Sequence, residues 1–212
     1  MKVLVITAEH PEYGIRPETA ESISALEGEW DYSTIGADAI YSIPAVDRLN
    51  KYQRARREML DGDYDALLSV EADMIVPPDA LTKLLEVDAD IAYGLYCSRH
   101  EPRYSWLCFI HADEEGGKIL AKNKYLAREL YGRGAVVSSK GVGLGCTLIH
   151  RRVFDELDFR LDKSQFDCDW WLAVDANRAG FRQAHHFGVV CGHVGLQGQV
   201  YWPDPAEEKL VR

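Results

Sequence analysis

Short apolar runs alternate with amphipathic segments over the first hundred residues of the chain. The predicted strands cover residues 2–7, 31–35, 64–70 and 91–96. The predicted helices cover residues 17–26 and 47–60 and a short segment after Asp79. Asp47 is the expected N-cap of the second helix, and Gly62 its expected end. Strands that alternate with helices in this way predict a largely parallel sheet with right-handed crossovers.

The second half of the chain is less regular. The pattern predicts a hairpin (106–111 and 118–121), a mobile loop (125–141), strands (143–150 and 181–190) and a helix (169–179) that ends at Gly180. Residues 199–212 contain two prolines and many charges, which is typical of a loosely held C-terminal tail. We therefore expect an α/β fold with a mostly parallel sheet flanked by helices, in one domain over residues 1–198.

Composition and charge restrict the function further. The chain has 212 residues, of which 47% are hydrophobic and 27% charged, as in ordinary globular proteins. A net charge of −10 argues against broad binding to nucleic acid, and no apolar run is long enough to span a membrane. The five cysteines are scattered without a CxxC pair, which favours a reducing cytoplasm. One dense basic run is either a solvated helix face or a local basic pocket for phosphates, and it comprises Arg48, Lys51, Arg54, Arg56 and Arg57.

The triplet Glu71-Ala72-Asp73 is the most informative feature of the chain. It follows the apolar strand over residues 64–70, and ligands in open α/β sheets bind at the carboxyl ends of the strands. Two carboxylates there suit Mg²⁺ or Mn²⁺, which prefer oxygen ligands and often share them with substrate phosphates. An acidic turn that faces solvent is the alternative interpretation.

Two further segments carry candidate chemistry. Asp169, at the start of the helix over residues 169–179, is either an ionised general base or simply an N-cap. His193 follows the last strand between small neighbours, where it is either a metal ligand or an ordinary buried histidine. The glycines Gly141, Gly143 and Gly145 precede a strand and lack the G-x-G-x-x-G spacing, so they do not form a dinucleotide fingerprint. They indicate close approach of the backbone to a ligand or another strand, or a bulge.

In this order along the chain, these features resemble the GT-A glycosyltransferases. The likeness is strongest to compact bacterial and phage enzymes similar to the family that transfers sugars from nucleotide donors with inversion. The matching stretches are residues 64–81, 143–154 and 169–195. The resemblance implies a Rossmann-like GT-A fold and a metal-dependent transfer of sugar from a UDP- or GDP-sugar to an acceptor hydroxyl. The acceptor is not identified by the sequence.

The resemblance also implies roles for individual residues. Asp73, Glu71 and His193 correspond to the ligands of Mn²⁺ or Mg²⁺, and Asp169 to the catalytic base. The expected nucleotide-sugar contacts are Thr7, Ala8, Glu9, Arg48, Ala72, Gly143 and Gly145, and the expected acceptor contacts are Trp170 and Asp167. The chain departs from the family pattern at Glu71, which replaces an aspartate, and at Cys168, which replaces an acid.

Two other functions compete with this interpretation. A sugar-phosphate nucleotidyltransferase has a similar sheet, but it normally carries a glycine-rich basic loop after the first strand. Residues 8–16 contain one glycine and one arginine, which argues against it. A non-catalytic nucleotide- or carbohydrate-binding protein of the same fold is the third possibility, because the changes at Glu71 and Cys168 are those of a decayed site.

Overall fold

A seven-stranded sheet forms the centre of the protein. The computed structural model describes residues 1–36, 43–98, 106–119, 129–131, 134–141, 143–163 and 166–203. The strands of this part are β1 Val3–Ala8, β2 Asp31–Ile35, β3 Ala66–Val70, β4 Met74–Ile75, β5 Ile91–Leu95, β6 Phe109–Ala112, β7 Gly117–Ile119, β8 Val136–Ser138, β9 Cys146–His150, β10 Gln183–Val190, β11 Gly192–Val194 and β12 Val200–Tyr201. Its helices are α1 Pro17–Ser24, α2 Pro44–Asp61, α3 Ala80–Leu85, α4 Arg151–Glu156 and α5 Cys168–Ala179.

The strand order of the central sheet is β2-β1-β3-β9-β5-β10-β8. β1 is parallel to β2 and β3, and β5 is parallel to β10. β9 is antiparallel to both of its neighbours, β3 and β5, so these two run in the same direction. β8 is antiparallel to β10. Five of the seven strands therefore share one direction, which confirms the predicted mostly parallel α/β fold in one domain.

Apolar side chains cover both faces of this sheet. Val3 and Val5 of β1 belong to one buried cluster, whereas Leu4 and Ile6 belong to the cluster on the opposite face. All five residues of β3 are buried, as expected for a central strand covered on both sides. The continuous apolar run that predicted β3 is the direct consequence of this double burial.

Helix α2 starts earlier than predicted. It begins at Pro44, whose fixed φ suits a first helical position, and Ile43 is its N-cap. The prediction that Asp47 is the N-cap was therefore wrong. Asp47 instead forms an ion pair of 2.6 Å with Lys51 one turn later. The predicted helix ends at Gly62 and Gly180 are confirmed, and Gly180 has a left-handed φ of 86°.

The basic residues of α2 do not form a uniformly solvated face, which corrects that prediction. Arg56 donates hydrogen bonds to the main-chain oxygens of Phe154 and Leu157, near the end of α4. Lys51 is only 5% exposed. Positive charge on this helix is thus partly used to satisfy carbonyl groups of the neighbouring helix.

The irregular second half contains more strand pairing than its sequence suggested. The hairpin of β6 and β7 is confirmed. β8 lies within residues 125–141, where a loop was expected, because its residues pair with β10. β12 pairs with β11, so residues 200–201 are part of a sheet and not of a loosely held tail. The rest of the predicted tail, residues 204–212, lies outside the described residues, and the domain boundary at residue 198 stays a prediction.

The sequence argued against a membrane span and against a disulfide framework, and the structure bears on both. None of the helices in the described ranges combines the length and apolar character that crossing a bilayer requires. All five cysteines are buried and carry free thiols. These observations agree with the absence of a disulfide framework.

Tyr96 follows β5, and its buried side chain explains why two of the positions before β9 are glycine. A Cβ atom on Gly143 would lie 1.8 Å from the Tyr96 hydroxyl oxygen, and one on Gly145 would lie 2.7 Å from the ring carbon that bears it. Gly143 also has a φ of 104°. The close approach that the glycine spacing predicted is therefore made, in this structure, with an aromatic ring.

Replacing Gly143 by alanine is expected to destabilise the protein by about 2–5 kcal/mol, because overpacking adds to the strain of a positive φ. Gly198→Ala is the control, since Gly198 has a φ of 85° but no atom within 4 Å of a Cβ. It should cost only about 1–2 kcal/mol. Urea unfolding measures both, and adding Tyr96→Phe to Gly143→Ala should recover part of the loss. Equal losses in the two alanine variants would contradict the clash.

Candidate functional site

The carboxyl ends of the parallel strands lie at one edge of the sheet, and most of the predicted site residues lie at that edge. Thr7 and Ala8 end β1, and Glu71 follows β3 directly. β9 runs in the opposite direction, so its amino end and the segment that precedes it lie at the same edge. The Glu71 amide donates a hydrogen bond of 3.0 Å to the carbonyl of Gly145. The antiparallel β9 thus brings the glycine segment next to the acidic triplet.

Asp73 and His193 are adjacent in space although 120 residues separate them in the sequence. In a small three-stranded sheet, β12-β11-β4, His193 pairs with Met74, and the Val194 amide donates a 2.7 Å hydrogen bond to the carbonyl of Asp73. The His193 Nε2 atom lies 3.6 Å from Asp73 Oδ1. Both side chains are buried, at 8% and 5% exposure respectively. The predicted proximity of these two residues is therefore present.

The orientation of the His193 ring is set by its other nitrogen. His193 Nδ1 is 2.9 Å from the main-chain oxygen of Cys97. Because a carbonyl oxygen can only accept, Nδ1 carries the proton of this hydrogen bond. In the neutral imidazole the lone pair is then on Nε2, the atom that faces Asp73.

The second oxygen of Asp73 contacts a residue that the sequence did not suggest. The Tyr13 hydroxyl donates a hydrogen bond of 2.8 Å to Asp73 Oδ2. Tyr13 lies in the turn between β1 and α1. Tyr13 thus holds the Asp73 carboxylate at Oδ2, while Oδ1 faces His193 Nε2.

A second charged group lies around Arg48. Its guanidinium pairs with Asp167, and Glu71 and Asp169 are close enough to contribute to its electrostatic environment. Burial works against the charge of Arg48, but the Asp167 hydrogen bond and the three carboxylates raise its pKa above the ordinary value. Arg48 is therefore a permanent positive charge among three acids.

Asp169 has an unusual affinity for protons. Burial, followed by the negative charge of Asp167, raises the pKa of the Asp169 carboxyl from 3.8 to about 6. The Trp170 amide and Arg48 act in the opposite direction. The adjacent Cys168 is fully buried, and burial raises the pKa of its thiol, so it is a neutral group where the GT-A pattern has an acid.

The interpretation of Asp169 as the N-cap of its helix was wrong. Helix α5 begins at Cys168, and Asp167 is its N-cap: the Asp167 carboxylate accepts a 2.7 Å hydrogen bond from the Cys168 amide. Asp169 lies in the first turn and accepts from the Trp170 amide at 2.6 Å. The cap is supplied by the neighbour, so Asp169 is not needed for that role.

Glu71 does not join Asp73 and His193 in a three-ligand group. In the part of the chain that the structure describes, no set of three or more His, Cys, Asp or Glu side chains is arranged to hold a metal ion. Glu71 contributes instead to the surroundings of Arg48 and of the buried tyrosines Tyr52 and Tyr96. Its assignment as a metal ligand stays a prediction.

The end of β1 forms a polar corner with β2 and α2. The Tyr32 hydroxyl donates a 3.2 Å hydrogen bond to the buried Thr7 hydroxyl. The Lys51 ammonium donates a 2.6 Å hydrogen bond to the carbonyl of Glu9. Ala72 is buried, and its carbonyl accepts hydrogen bonds from the Arg16 amide and the Thr19 hydroxyl. The roles of Thr7, Ala8, Glu9 and Ala72 in binding a nucleotide sugar stay predictions, as do those of Gly143 and Gly145.

Trp170 is held in an aromatic cluster beside Asp169. Its ring stacks on Phe166 at 4.5 Å and meets Phe109 edge-on at 5.3 Å, and its indole N–H donates to the carbonyl of Asp113. The residue is only 6% exposed. Most of its surface is used in packing, and a contact with an acceptor stays a prediction for both Trp170 and Asp167.

Sequence reasoning missed several residues of this region. The most important are Tyr13, Tyr32 and the main-chain oxygen of Cys97. Tyr13 had a usable signal, because residues that follow the carboxyl end of a first parallel strand are candidates for a site. The carbonyl of Cys97 had none, since any residue type supplies a main-chain oxygen.

Comparison with known proteins gives a similar fold and no family. No protein-family model and no curated protein matches the chain. Among solved structures, the crystal structure of A197 from STIV is similar with a TM-score of 0.59 and 14% identity, covering 96% of this chain and 95% of that chain. The inositol-1-phosphate CTP transferase from T. maritima has a TM-score of 0.47 and 11% identity, covering 90% and 88%. The likeness to A197 concerns the fold alone, and the second is too distant to support an argument.

Replacing Asp169 by asparagine is expected to stabilise the protein at neutral pH. The raised pKa means that the proton on Asp169 favours the folded state; this contribution is complete below pH 3.8 and is lost as the pH rises through about 6. The neutral asparagine side chain mimics the protonated acid, so the variant should gain up to about 3 kcal/mol at pH 8 and little at pH 4. Urea unfolding at the two pH values measures the difference.

Asp175→Asn is the matched control on the same helix. Asp175 accepts two hydrogen bonds from Arg160, at 2.6 and 2.9 Å. Losing this ion pair should destabilise the protein by about 1 kcal/mol at pH 8. If Asp169→Asn also lowers the free energy of unfolding at pH 8, the ionised form of Asp169 does not destabilise the folded protein.

Proposed function

We propose that this protein is a metal-dependent glycosyltransferase that moves a sugar from a nucleotide-sugar donor to an acceptor hydroxyl with inversion. The observation that carries the proposal is the pairing of Asp73 with His193 at the carboxyl edge of the sheet. A buried carboxylate and a buried imidazole with its lone pair directed at that carboxylate suit a shared cation. A second group, around Asp169, suits a base.

The spacing of the two side chains supports a cation between them. Two ligand atoms that each bind a cation at about 2.0–2.2 Å, with an angle of about 90–110°, lie about 2.8–3.6 Å apart. The His193 Nε2 to Asp73 Oδ1 distance of 3.6 Å is within this range and too long for a good hydrogen bond. The hydrogen bond from His193 to the Cys97 carbonyl is the usual outer-shell contact of a metal-ligating histidine.

Two protein ligands are few for a structural metal but enough for Mg²⁺ or Mn²⁺ in an enzyme. Such ions are commonly bound through one or two protein groups, with phosphates and water completing the shell. A divalent cation bound there would offset the negative charge that develops on the diphosphate of the donor. Asp73 and His193 would hold it, and Thr7, Glu9, Tyr32 and Lys51 would contact the nucleoside at the neighbouring strand ends.

Asp169 is the proposed catalytic base. A pKa of about 6 makes it a stronger base than an ordinary aspartate and leaves it mostly ionised at neutral pH. Arg48 and Asp167 lie beside it and are joined by an ion pair. The charge of Asp167 raises the pKa of Asp169, and the charge of Arg48 lowers it. Asp169 would accept the proton of the acceptor hydroxyl as the new glycosidic bond forms.

A nucleotidyltransferase is the less favoured function. The turn after β1 is packed around Tyr13 and Asp73 and is not a glycine-rich basic loop. The two functions differ in their products. A nucleotidyltransferase joins a nucleoside triphosphate to a sugar phosphate and releases pyrophosphate. A glycosyltransferase transfers the sugar of a nucleotide sugar and releases a nucleoside diphosphate. A non-catalytic protein releases neither.

A panel of nucleotides with and without Mn²⁺ tests the proposal by thermal shift. At a hundredfold excess over its Kd, a nucleotide should stabilise the protein by about 2.7 kcal/mol, which corresponds to a rise in Tm of about 5–10 °C. We expect this shift for UDP, GDP or one of their sugars, and only with Mn²⁺ present. If no nucleotide shifts the Tm when Mn²⁺ is present, the proposed function is wrong.

His193→Gln should abolish the Mn²⁺-dependent part of the shift, because an amide is a poor replacement for the imidazole lone pair. His150→Gln is the matched control, since His150 is also 8% exposed but lies at the opposite end of β9 from the site. It should leave the shift unchanged. Similar losses in both variants would point to general destabilisation and not to a metal ligand.

Asp169→Asn should retain nucleotide binding and lose about 10²- to 10⁴-fold in the rate of transfer. In the unmodified protein the rate should fall as the pH decreases through about 6, because protonated Asp169 cannot accept a proton. Release of nucleoside diphosphate from the donor, measured against pH, gives both results. Full turnover in the variant would place the base elsewhere or favour a retaining reaction.

A further inference from the structure

The turn between β1 and α1 contacts both sides of the Asp73–His193 pair. At one side, the Tyr13 hydroxyl donates to Asp73 Oδ2 at 2.8 Å, and the Arg16 amide donates to the carbonyl of Ala72 at 2.8 Å. At the other side, the Arg16 guanidinium donates a 3.1 Å hydrogen bond to the carbonyl of Leu196, in the hairpin that follows His193. The turn thus links the two segments that supply the candidate ligands.

The Tyr13 ring is fixed by stacking. The imidazole of His10 lies parallel to it, with ring centroids 3.9 Å apart and planes 5° apart. The Arg16 guanidinium carbon lies 4.2 Å from the Tyr13 ring centroid. Two planar groups this close to one ring cannot share a face, so His10 and Arg16 cover opposite faces of Tyr13. The hydroxyl, at the edge of the ring, is directed at Asp73.

Main-chain hydrogen bonds close the turn beneath this stack. His10 and Gly14 exchange two hydrogen bonds of 3.0 and 2.9 Å, and Gly14 has a φ of 67°, which favours glycine. The phenol therefore reaches Asp73 from a pre-formed turn. The conformational entropy of this turn is lost on folding and not on ligand binding. A carboxylate held in this way has little freedom to rotate about its last torsion.

We propose that Tyr13 is the positioning residue of the metal site: its hydroxyl occupies Asp73 Oδ2 and keeps Oδ1 directed towards His193 Nε2 and a divalent cation. Removing the hydroxyl removes the hydrogen bond at Oδ2, so the orientation of the Asp73 carboxylate towards His193 is less well defined. This inference rests on the proposed function, because it requires that Asp73 and His193 bind a cation. It adds the β1–α1 turn, with its stack of His10, Tyr13 and Arg16, to that site.

Tyr13→Phe isolates the hydroxyl, because phenylalanine retains the ring and its stacking partners. The measurement is a Mn²⁺ titration of the full chain, followed by the electron paramagnetic resonance signal of free Mn²⁺, with Mn²⁺ alone and with UDP or GDP present. We expect the Kd for Mn²⁺ to rise about 10- to 100-fold, as is typical when an outer-shell partner of a metal ligand is removed. Urea unfolding checks that the variant folds.

Tyr64→Phe is the matched control. The Tyr64 hydroxyl also donates a 2.8 Å hydrogen bond to an aspartate, Asp31, but that pair lies at the opposite end of the sheet, before β3 and at the start of β2. The Kd of the Tyr64→Phe variant for Mn²⁺ should equal that of the unmodified protein. If the Tyr13→Phe variant does not fold, the Arg16→Met variant is tested in its place. Arg16→Met removes the cation that stacks on Tyr13 and the contact with Leu196, but it keeps the Tyr13 hydroxyl. It should also weaken Mn²⁺ binding.

The outcomes separate this inference from the proposed function. Failure of the unmodified protein to bind Mn²⁺ under both conditions contradicts the metal site itself, and the role of Tyr13 with it. Normal binding by the unmodified protein with an unchanged Kd in Tyr13→Phe overturns only the positioning role. Tighter binding by Tyr13→Phe also overturns it, because the hydroxyl would then be a competitor of the cation.

Discussion

The pairing of β4 with β11 is the constraint on which the candidate site depends. It joins only a few residues, Ile75 with Gly192 and Met74 with His193, together with the Val194 amide on the Asp73 carbonyl. Main-chain hydrogen bonds hold this register independently of what the side chains bind. Because the main chain at Asp73 and His193 is fixed by strand pairing, the main-chain separation of the two residues is built into the fold, and the side-chain orientation is set by Tyr13 and the Cys97 carbonyl. A cation site with such a frame needs little reorganisation when it is filled.

Charge is distributed unevenly around this frame. The chain has a net charge of −10, and the site itself contains Glu71, Asp73, Asp167 and Asp169. Three of these acids, Glu71, Asp167 and Asp169, lie around Arg48, and acids without compensation would repel a diphosphate. Arg48 offsets part of this charge on the side of Asp169, and we propose that a divalent cation does so on the side of Asp73. The pKa of Asp169 stays elevated despite the charge of Arg48, because burial and the charge of Asp167 outweigh it.

The same region shows how packing and function compete for the same sequence signals. The glycines before β9 suggested close approach to a ligand or a strand, and the structure puts the Tyr96 ring against them. The basic residues of α2 suggested a solvated face, and Arg56 donates to carbonyls of a neighbouring helix. In both cases the residue type specified a physical need, either for space or for an acceptor of positive charge. The partner that met the need was not encoded nearby in the chain.

The sequence by itself determined the alternation of strands and helices, the buried central strand β3 and the acidic triplet at its carboxyl end. These features follow from local patterns of apolar residues and turn residues, which a linear chain displays directly. Only the tertiary structure decided that β9 is antiparallel, that residues 136–138 form a strand, and that Tyr13 and the Cys97 carbonyl hold the two candidate ligands. The physical reason is that strand direction, pairing partner and the contacts that support a ligand are set by residues far apart in sequence. The free energy that selects them is gained only when the sheet and its covering helices pack together.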